Sequence, residues 1–386
     1  MTIPYGKQDI TEEDIRSVIS VLSSEYLTQG PMVPRLEETF SELVGCKHAI
    51  AVNSATSALH VACLALNLGI GDFLWTTPIS FVASANCGVY CGASIDFVDI
   101  DPNTNNISIS SLEIKLKEAK KQDRLPKILV VVHFCGHPCE LAEISRLSLL
   151  YGFHILEDAS HAIGGKYRDD YIGSCKYSEI TVFSLHAVKV ITSGEGGLAT
   201  TNDANLAKKM ALLRSHGIIK DQNYMLKPSQ GSWYYEQHLL GFNYRMTDIQ
   251  AALGLSQLAR LNEYVAKRNE LAKHYNFLLS KMPVVISKPN IQDYSGFHLY
   301  VIRLKLDEIR KTRKQVFDYL KKNEIGVNVH YIPIHIQPYY QRMGFEIGNF
   351  PEAERYYEEA ITLPLYPQLS IEQVNKIVGV LKDAIA

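Results

Sequence analysis

No stretch of this sequence is long and apolar enough to cross a membrane. The longest hydrophobic run, around Ile128 to Val132, is strand-sized, against the roughly 18 residues that a span needs. The first residues, Met-Thr-Ile-Pro-Tyr-Gly-Lys-Gln-Asp, hold no apolar signal-peptide core. An excess of one charge is also missing: 39 Lys and Arg against 41 Asp and Glu leave a formal charge of −2. That balance excludes a globally basic nucleic-acid binder, whose affinity comes from clustered cations. No CxxC pair occurs among the seven cysteines, an odd number, which predicts reduced and mostly buried thiols in a cytoplasmic protein. A phosphate loop of the form GxxxxGK[ST] is absent, so the chain is not an ordinary NTPase. Internal repeats, low-complexity tracts and long charge runs are lacking too.

What is present is the composition of a globular protein: 46% hydrophobic and 21% charged residues over 386 positions. At roughly 150 residues per unit, that length predicts two or three units with a sizeable core. Thr11 and Asp14 form a capping-box-like pair ahead of Ile15, Val18, Ile19 and Leu22 at helical spacing. Leu36, Phe40 and Leu43 mark a second amphipathic helix that stops at Gly45. Short apolar runs then alternate with helical segments. Strands are predicted at 48–53, 95–100, 127–133, 154–158, 180–183 and 198–201, with another leading to Thr77, and helices at 54–66 and 80–89. This alternation predicts an α/β fold whose mostly parallel sheet is covered on both faces. Near Phe242 the pattern changes. One long helix is predicted from Thr247 past Leu271, and Pro283, Pro289 and Gly296 follow as a boundary. Strands near 298–304 and 326–331, a helix near 314–322 and two late helices suit a smaller α+β unit. The division expected is 1–250 for the large unit with its N-terminal arm and 251–386 for the linking helix and cap.

In such a sheet, ligands bind where strands end. After 48–53 comes Asn53-Ser54-Ala55-Thr56-Ser57, small hydroxyl residues opening a helix, whose free N–H groups suit either plain capping or an anion. After 154–157 stands Asp158, a carboxylate at a buried strand end that needs a partner. After 180–183 come Ser184, His186 and Lys189, then Ser193-Gly194-Glu195-Gly196-Gly197. A lysine there is either surface decoration or a desolvated amine suited to Schiff-base chemistry. Asp158 and Lys189, 31 positions apart, with a helix N-terminus for phosphate, together describe a pyridoxal phosphate (PLP) site. His133-Phe134-Cys135-Gly136-His137-Pro138-Cys139 is rich in metal-ligand types, but its spacing is not that of a zinc knuckle, and no metal is expected.

Further segments make a more specific pattern: LTQGP at 27–31, NSATSAL at 53–59, TPISFVASAN at 77–86, EDASHA at 157–162 and FSLHAVK at 183–189. To these are added SGEGG at 193–197, LLRSHG at 212–217 and GFNYRMTDIQAALG at 241–254. In this order they resemble the DegT/DnrJ/StrS family of sugar aminotransferases over nearly the whole chain, and within it the members of the pseudaminic acid pathway. The resemblance implies a PLP-dependent transferase of fold type I. It implies that Lys189 carries the cofactor and moves the proton, and that Asp158 holds the pyridine nitrogen. Phe81 would lie on one ring face and His161 near the ring hydroxyl. Ala55, Thr56 and Ser184 would bind phosphate, with Asn243 reaching in from a second subunit of a homodimer. Arg245, in the same loop, would help with phosphate or a substrate anion. Tyr5, Thr28, Gln29, His330 and Tyr331 match positions that contact nucleotide sugar, consistent with aromatic stacking and hydrogen bonding. The implied substrates are a UDP-linked 4-keto-6-deoxy-N-acetylhexosamine and L-glutamate. GDP-perosamine and dTDP-amino-sugar synthases share most of these cofactor motifs. A 3-dehydratase of the same fold would have histidine in place of Lys189. A non-catalytic regulator would have lost Lys189 or Asp158.

Overall fold

The computed structural model describes residues 2–287, 290 and 292–386; the expected boundary residue Pro289 lies outside them. The large sheet is built from β1 (His48–Val52), β2 (Phe73–Thr76), β3 (Ser94–Phe97), β4 (Ile128–Val132), β5 (His154–Asp158), β8 (Ile180–Ser184) and β9 (Gly197–Thr201). Between them, β6 (Lys166–Tyr167) and β7 (Asp170–Tyr171) form a small hairpin. The strand order is β1-β9-β8-β5-β4-β2-β3. β9 pairs antiparallel with both neighbours and the other pairings are parallel. β9 is therefore the one reversed strand, and β1, β4, β5 and β8 all end on the same edge.

The central strands are buried on both faces, which is why β4 reads as an unbroken apolar run. Its side chains alternate. Leu129 and Val131 join a core with Phe40 and Val44 of α2 (Met32–Val44), Leu112 and Leu116 of α5 (Ile109–Lys121) and Ile144 of α6 (Leu141–Tyr151). Ile128, Val130 and Val132 face the other way. They pack on Leu59, Val61 and Ala62 of α3 (Ala55–Ala65), Cys87 of α4 (Ala83–Tyr90) and Met210 of α7 (Ala204–Leu213). α2 ends at Gly45, whose φ of +74° makes the expected left-handed cap.

α1 (Glu12–Leu22) has its capping box between Thr11 and Asp14, yet Ile15, Ile19 and Leu22 lie exposed. The single helix predicted from Thr247 is two helices, α8 (Asp248–Leu258) and α9 (Leu261–Leu279); the apolar periodicity continues across the break at Ala259–Arg260 and hides it in the sequence. Residue 250 lies in the first turn of α8. Ala251, Leu258, Leu261, Tyr264 and Val265 all pack into the core of the large sheet.

A pair of two-residue strands, β10 (Ile218–Ile219) and β11 (Glu236–Gln237), precedes α8. The C-terminal part holds an antiparallel sheet of β12 (Val284–Ile286), β13 (Tyr300–Leu304) and β14 (Ala360–Leu363). Its core takes residues from α9, from α10 (Arg313–Lys322) and from the last helix, Ile371–Ile385. Ile3 joins that core and bridges Ile325, so the N-terminal arm docks on the C-terminal part. No strand forms at 326–331; Asn328 makes an isolated bridge to Thr362 and the segment then turns away. Among the described residues, no helix is long and apolar enough to cross a membrane.

Candidate active site

The common edge of β1, β4, β5 and β8 opens into a cavity of about 430 Å³, closed on its other side by the C-terminal part. Three strand ends supply its floor. From β1 the chain passes into α3, where the Ser54 hydroxyl caps the helix by accepting from Ser57 N–H at 3.1 Å. Ala55 and Thr56 line the cavity from the first turn, whose N–H groups no preceding carbonyl can serve. Gly197 lies under this turn, and a Cβ there would come within 2.6 Å of Ser54 and Ala55 backbone. β8 delivers Ser184 to the same place.

From β5 comes Asp158, buried. Its Oδ2 accepts from Ser84 Oγ at 2.6 Å, and its Oδ1 accepts from Ser160 N–H at 3.1 Å and from Ser160 Oγ at 2.6 Å. Ser80 in turn bonds Ser84 at 2.6 Å, so the carboxylate is held by a short hydroxyl chain. Lys189 follows β8 in a turn closed by its own N–H on His186 O at 2.9 Å. Burial lowers its ammonium pKa to about 8, against the opposing pull of the Asp158 charge. The amine is thus far easier to deprotonate than a surface lysine.

Histidines and aromatics make the wall. His161 Nε2 lies 3.1 Å from Tyr331 Oη, and the two rings stack 6.0 Å apart. Among the described residues, the buried His161 Nδ1 has no partner. Burial, and then the Lys189 charge, hold His161 well below the usual histidine range. His330 is held at about 4 by the same two causes in the same order, and its Nδ1 lies 2.8 Å from Thr362 Oγ1. Burial drives the Tyr331 phenol up. Tyr5 lies on His330, ring centroids 5.6 Å apart, and Phe81, largely exposed, stands at the mouth 6.1 Å from Tyr331.

Ten of the sequence candidates therefore meet in one cavity: Tyr5, Ala55, Thr56, Phe81, Asp158, His161, Ser184, Lys189, His330 and Tyr331. Thr28, Gln29, Asn243 and Arg245 are not among its lining residues. They gather on a second patch. Thr28 bridges Thr247, Arg245 bridges Val52, and Asn53 N–H donates to Tyr244 O at 2.9 Å. Buried Asp248 fastens that patch by accepting from Gly30 N–H at 2.8 Å and Met32 N–H at 2.7 Å. Thr28, Gln29 and Asn243 are exposed.

Sequence reasoning missed His298, which enters the wall from the segment ahead of β13, and Glu195, which faces His186 at 3.6 Å across the mouth. His298 stands in no motif; Glu195 lies inside SGEGG, where the glycines draw attention. The His/Cys-rich segment 133–139 serves the scaffold. His133 bonds Glu157 at 2.7 Å, His137 bonds Ser295 at 2.9 Å, and Cys139 donates to Val132 O at 3.1 Å. Among the described residues, no group of three or more His, Cys, Asp or Glu is placed to hold a metal ion.

Residues 8–382 match the model of the DegT/DnrJ/EryC1/StrS aminotransferase family. The chain is 38% identical to the spore coat polysaccharide biosynthesis protein SpsC of Bacillus subtilis, covering 99% of this chain and 97% of that one. It is 36% identical to the UDP-4-amino-4,6-dideoxy-N-acetyl-beta-L-altrosamine transaminase of Campylobacter jejuni serotype O:2, covering 97% and 95%. Among solved structures it is similar to Helicobacter pylori PseC, an aminotransferase involved in the biosynthesis of pseudoaminic acid. That likeness has a TM-score of 0.90 and 34% identity over 100% of this chain and 99% of that one.

Proposed function

The chain belongs to the DegT/DnrJ/EryC1/StrS aminotransferase family, and from that premise we propose that it moves an amino group from L-glutamate to C4 of a UDP-linked 4-keto-6-deoxy-N-acetylhexosamine, as in pseudaminic acid biosynthesis. The observation that carries the reading is Asp158 and Lys189 on one cavity floor beside the open turn of α3. Those groups fit pyridoxal phosphate by their chemistry. The helix turn and Ser184 suit a phosphate, the hydroxyl-held carboxylate suits a cationic ring nitrogen, and the unpartnered His161 Nδ1 awaits a polar neighbour.

When bound, pyridoxal phosphate supplies an electron sink for a carbanion at the amine-bearing carbon. The protein's residues do the rest. Lys189 Nζ takes the proton from the α carbon of glutamate and later delivers one to C4 of the sugar. Its pKa of about 8 matches that two-way task near neutrality. Asp158 would keep the ring nitrogen protonated. Ala55, Thr56 and Ser184 would hold the phosphate and Phe81 the ring, and Tyr5, His330 and Tyr331 would bind the sugar nucleotide.

Within one chain, Lys189 is the only Lys or Arg among the described lining residues, beside the carboxylates of Asp158 and Glu195. A cofactor phosphate and a substrate pyrophosphate call for more positive charge than that. This supports a homodimer in which the patch of Thr28, Gln29, Asn243 and Arg245 completes the partner's site. The two separate cores further support two units, a cofactor-binding one around the large sheet and a cap around β12–β14, with the change from one core to the other falling inside α9, between Val265 and Leu271, rather than at residue 250. The likeness to the C. jejuni transaminase supports the UDP substrate, and the likeness to H. pylori PseC supports the pathway. A second reading is a 4-keto sugar on another nucleotide, because GDP-perosamine and dTDP-amino-sugar synthases share most of the cofactor motifs.

The test is the purified protein with glutamate and matched UDP-, dTDP- and GDP-4-keto sugars. Turnover confined to the UDP substrate is the expected result. Preference for dTDP or GDP would overturn the pathway assignment and leave the aminotransferase reading in place.

A further inference from the structure

His298 Nε2 lies 3.5 Å from Lys189 Nζ, closing on the amine from the side opposite the large sheet. His298 is buried, its ring is 4.6 Å from that of His161, and among the described residues its Nδ1 has no partner. The backbone that carries it is expensive to hold. Phe297 has a φ of +41°, left-handed for a bulky residue. Arg268, 2% exposed as a residue, donates to Phe297 O and His298 O at 3.2 Å each and to Leu365 O at 2.9 Å. Among the described residues no carboxylate offsets that cation, and its Nε lacks a partner, so its burial is costly.

The opposite side of the segment is fixed by the loop at 135–137. Gly296 N–H donates to Gly136 O at 3.0 Å and Leu299 N–H to Cys135 O at 3.4 Å. Gly136 has a φ of +98°, and a Cβ there would come within 2.6 Å of Phe297 N. Strain and a buried cation persist only where the surroundings over-determine them. Here both act on the two residues that deliver one imidazole to one amine.

We propose that His298 is a positioning residue for Lys189: its Nε2 accepts a hydrogen bond from the ε-amine and so turns the amine's lone pair toward the cavity. A neutral amine has two N–H bonds and one lone pair. Fixing an N–H on the cap side leaves the lone pair for the reacting carbon. The groups facing His298 are Lys189, His161, His330 and Arg268. Burial first, and then the charge of Lys189, keep its pKa well below the usual histidine range, so the ring stays a neutral acceptor even beside the ammonium. The proposal rests on Lys189 being the reactive amine.

The test reads Lys189 directly in cofactor-free protein, by acylation at a series of pH values with mass-spectrometric readout. In the parent, labelling of Lys189 rises with a midpoint of about 8. His298→Phe removes the acceptor that favours the ammonium, so the midpoint shifts downward. In the loaded enzyme the same variant lowers kcat by about 100-fold through misorientation, while KM for glutamate stays within about threefold. His298→Gln, which restores an acceptor, recovers at least part of kcat. Arg268→Met shifts both readouts in the same direction by less, covering the case in which His298→Phe fails to fold. Unchanged Lys189 labelling together with unchanged kcat in His298→Phe overturns the proposal. If Lys189→Ala retained transamination, the parent reading would fall instead, while the labelling shift in cofactor-free His298→Phe would still report the His298–Lys189 contact.

Discussion

The floor and the wall of the cavity are made by different physics. Asp158, Ser184 and the α3 turn sit at the ends of parallel strands, each fixed by sheet pairing and short hydroxyl bonds. His298, His330 and Tyr331 ride on irregular backbone of the C-terminal part, held by carbonyl clamps, ring packing and Thr362. In the proposed reaction the floor, with the His298 contact to Lys189, holds what every cycle needs, and the rest of the wall decides what else is admitted. Chemistry common to a family belongs on the rigid layer, and selectivity on the layer that can be rebuilt without disturbing it.

The comparison breaks if the floor proves dispensable. Lys189→Ala is expected to lower turnover by about 10⁴-fold or more in single-turnover assays, with loss of the visible absorbance of the loaded protein. Asp158→Asn should cost on the order of 10³-fold by removing the charge opposite the ring nitrogen, with cofactor still retained on gel filtration. A wall variant should behave differently. Tyr331→Phe removes the hydroxyl near His161 and is expected to raise KM for the keto sugar by about tenfold while leaving the glutamate half-reaction within about twofold. Equal damage to both halves would erase the distinction.

A separate effect is on stability and leaves the two halves of the reaction untouched. His137 and His330 are both held at about 4 by burial. Between about 6.5 and 4 the unfolded chain binds their protons and the folded chain does not. Stability therefore falls as pH drops through that window, by about 1.4 kcal/mol per pH unit for each histidine. The cost is fully expressed below 4 and absent above 6.5. Thermal unfolding of cofactor-free His330→Phe should show a shallower acid slope than the parent.

This division also explains what could be read in advance. The floor was legible because strand ends punctuate an apolar-to-polar change, so Asp158 and Lys189 announce themselves by position. His330 and Tyr331 were placed in a predicted strand at 326–331 that does not form, since only Asn328 pairs there. His298 was invisible because its significance lies in a left-handed Phe297 and a buried Arg268, neither of which leaves a periodic trace. The break between α8 and α9 was hidden for the opposite reason: the apolar rhythm runs straight through it.

Asp248 ties the Thr28–Gln29 loop to the start of the helix that follows Asn243 and Arg245. For protein engineering this makes the patch a cassette. In the proposed dimer, where this loop completes the partner's site, the side chain at 28 can be randomised to retune sugar choice while the backbone stays pinned beside the Asn243–Arg245 loop. Gln29 has a left-handed φ of +56°, so a library that varies 28 freely and holds 29 to Gln, Asn or Gly should return altered specificities with few inactive members, provided Asp248 is left alone.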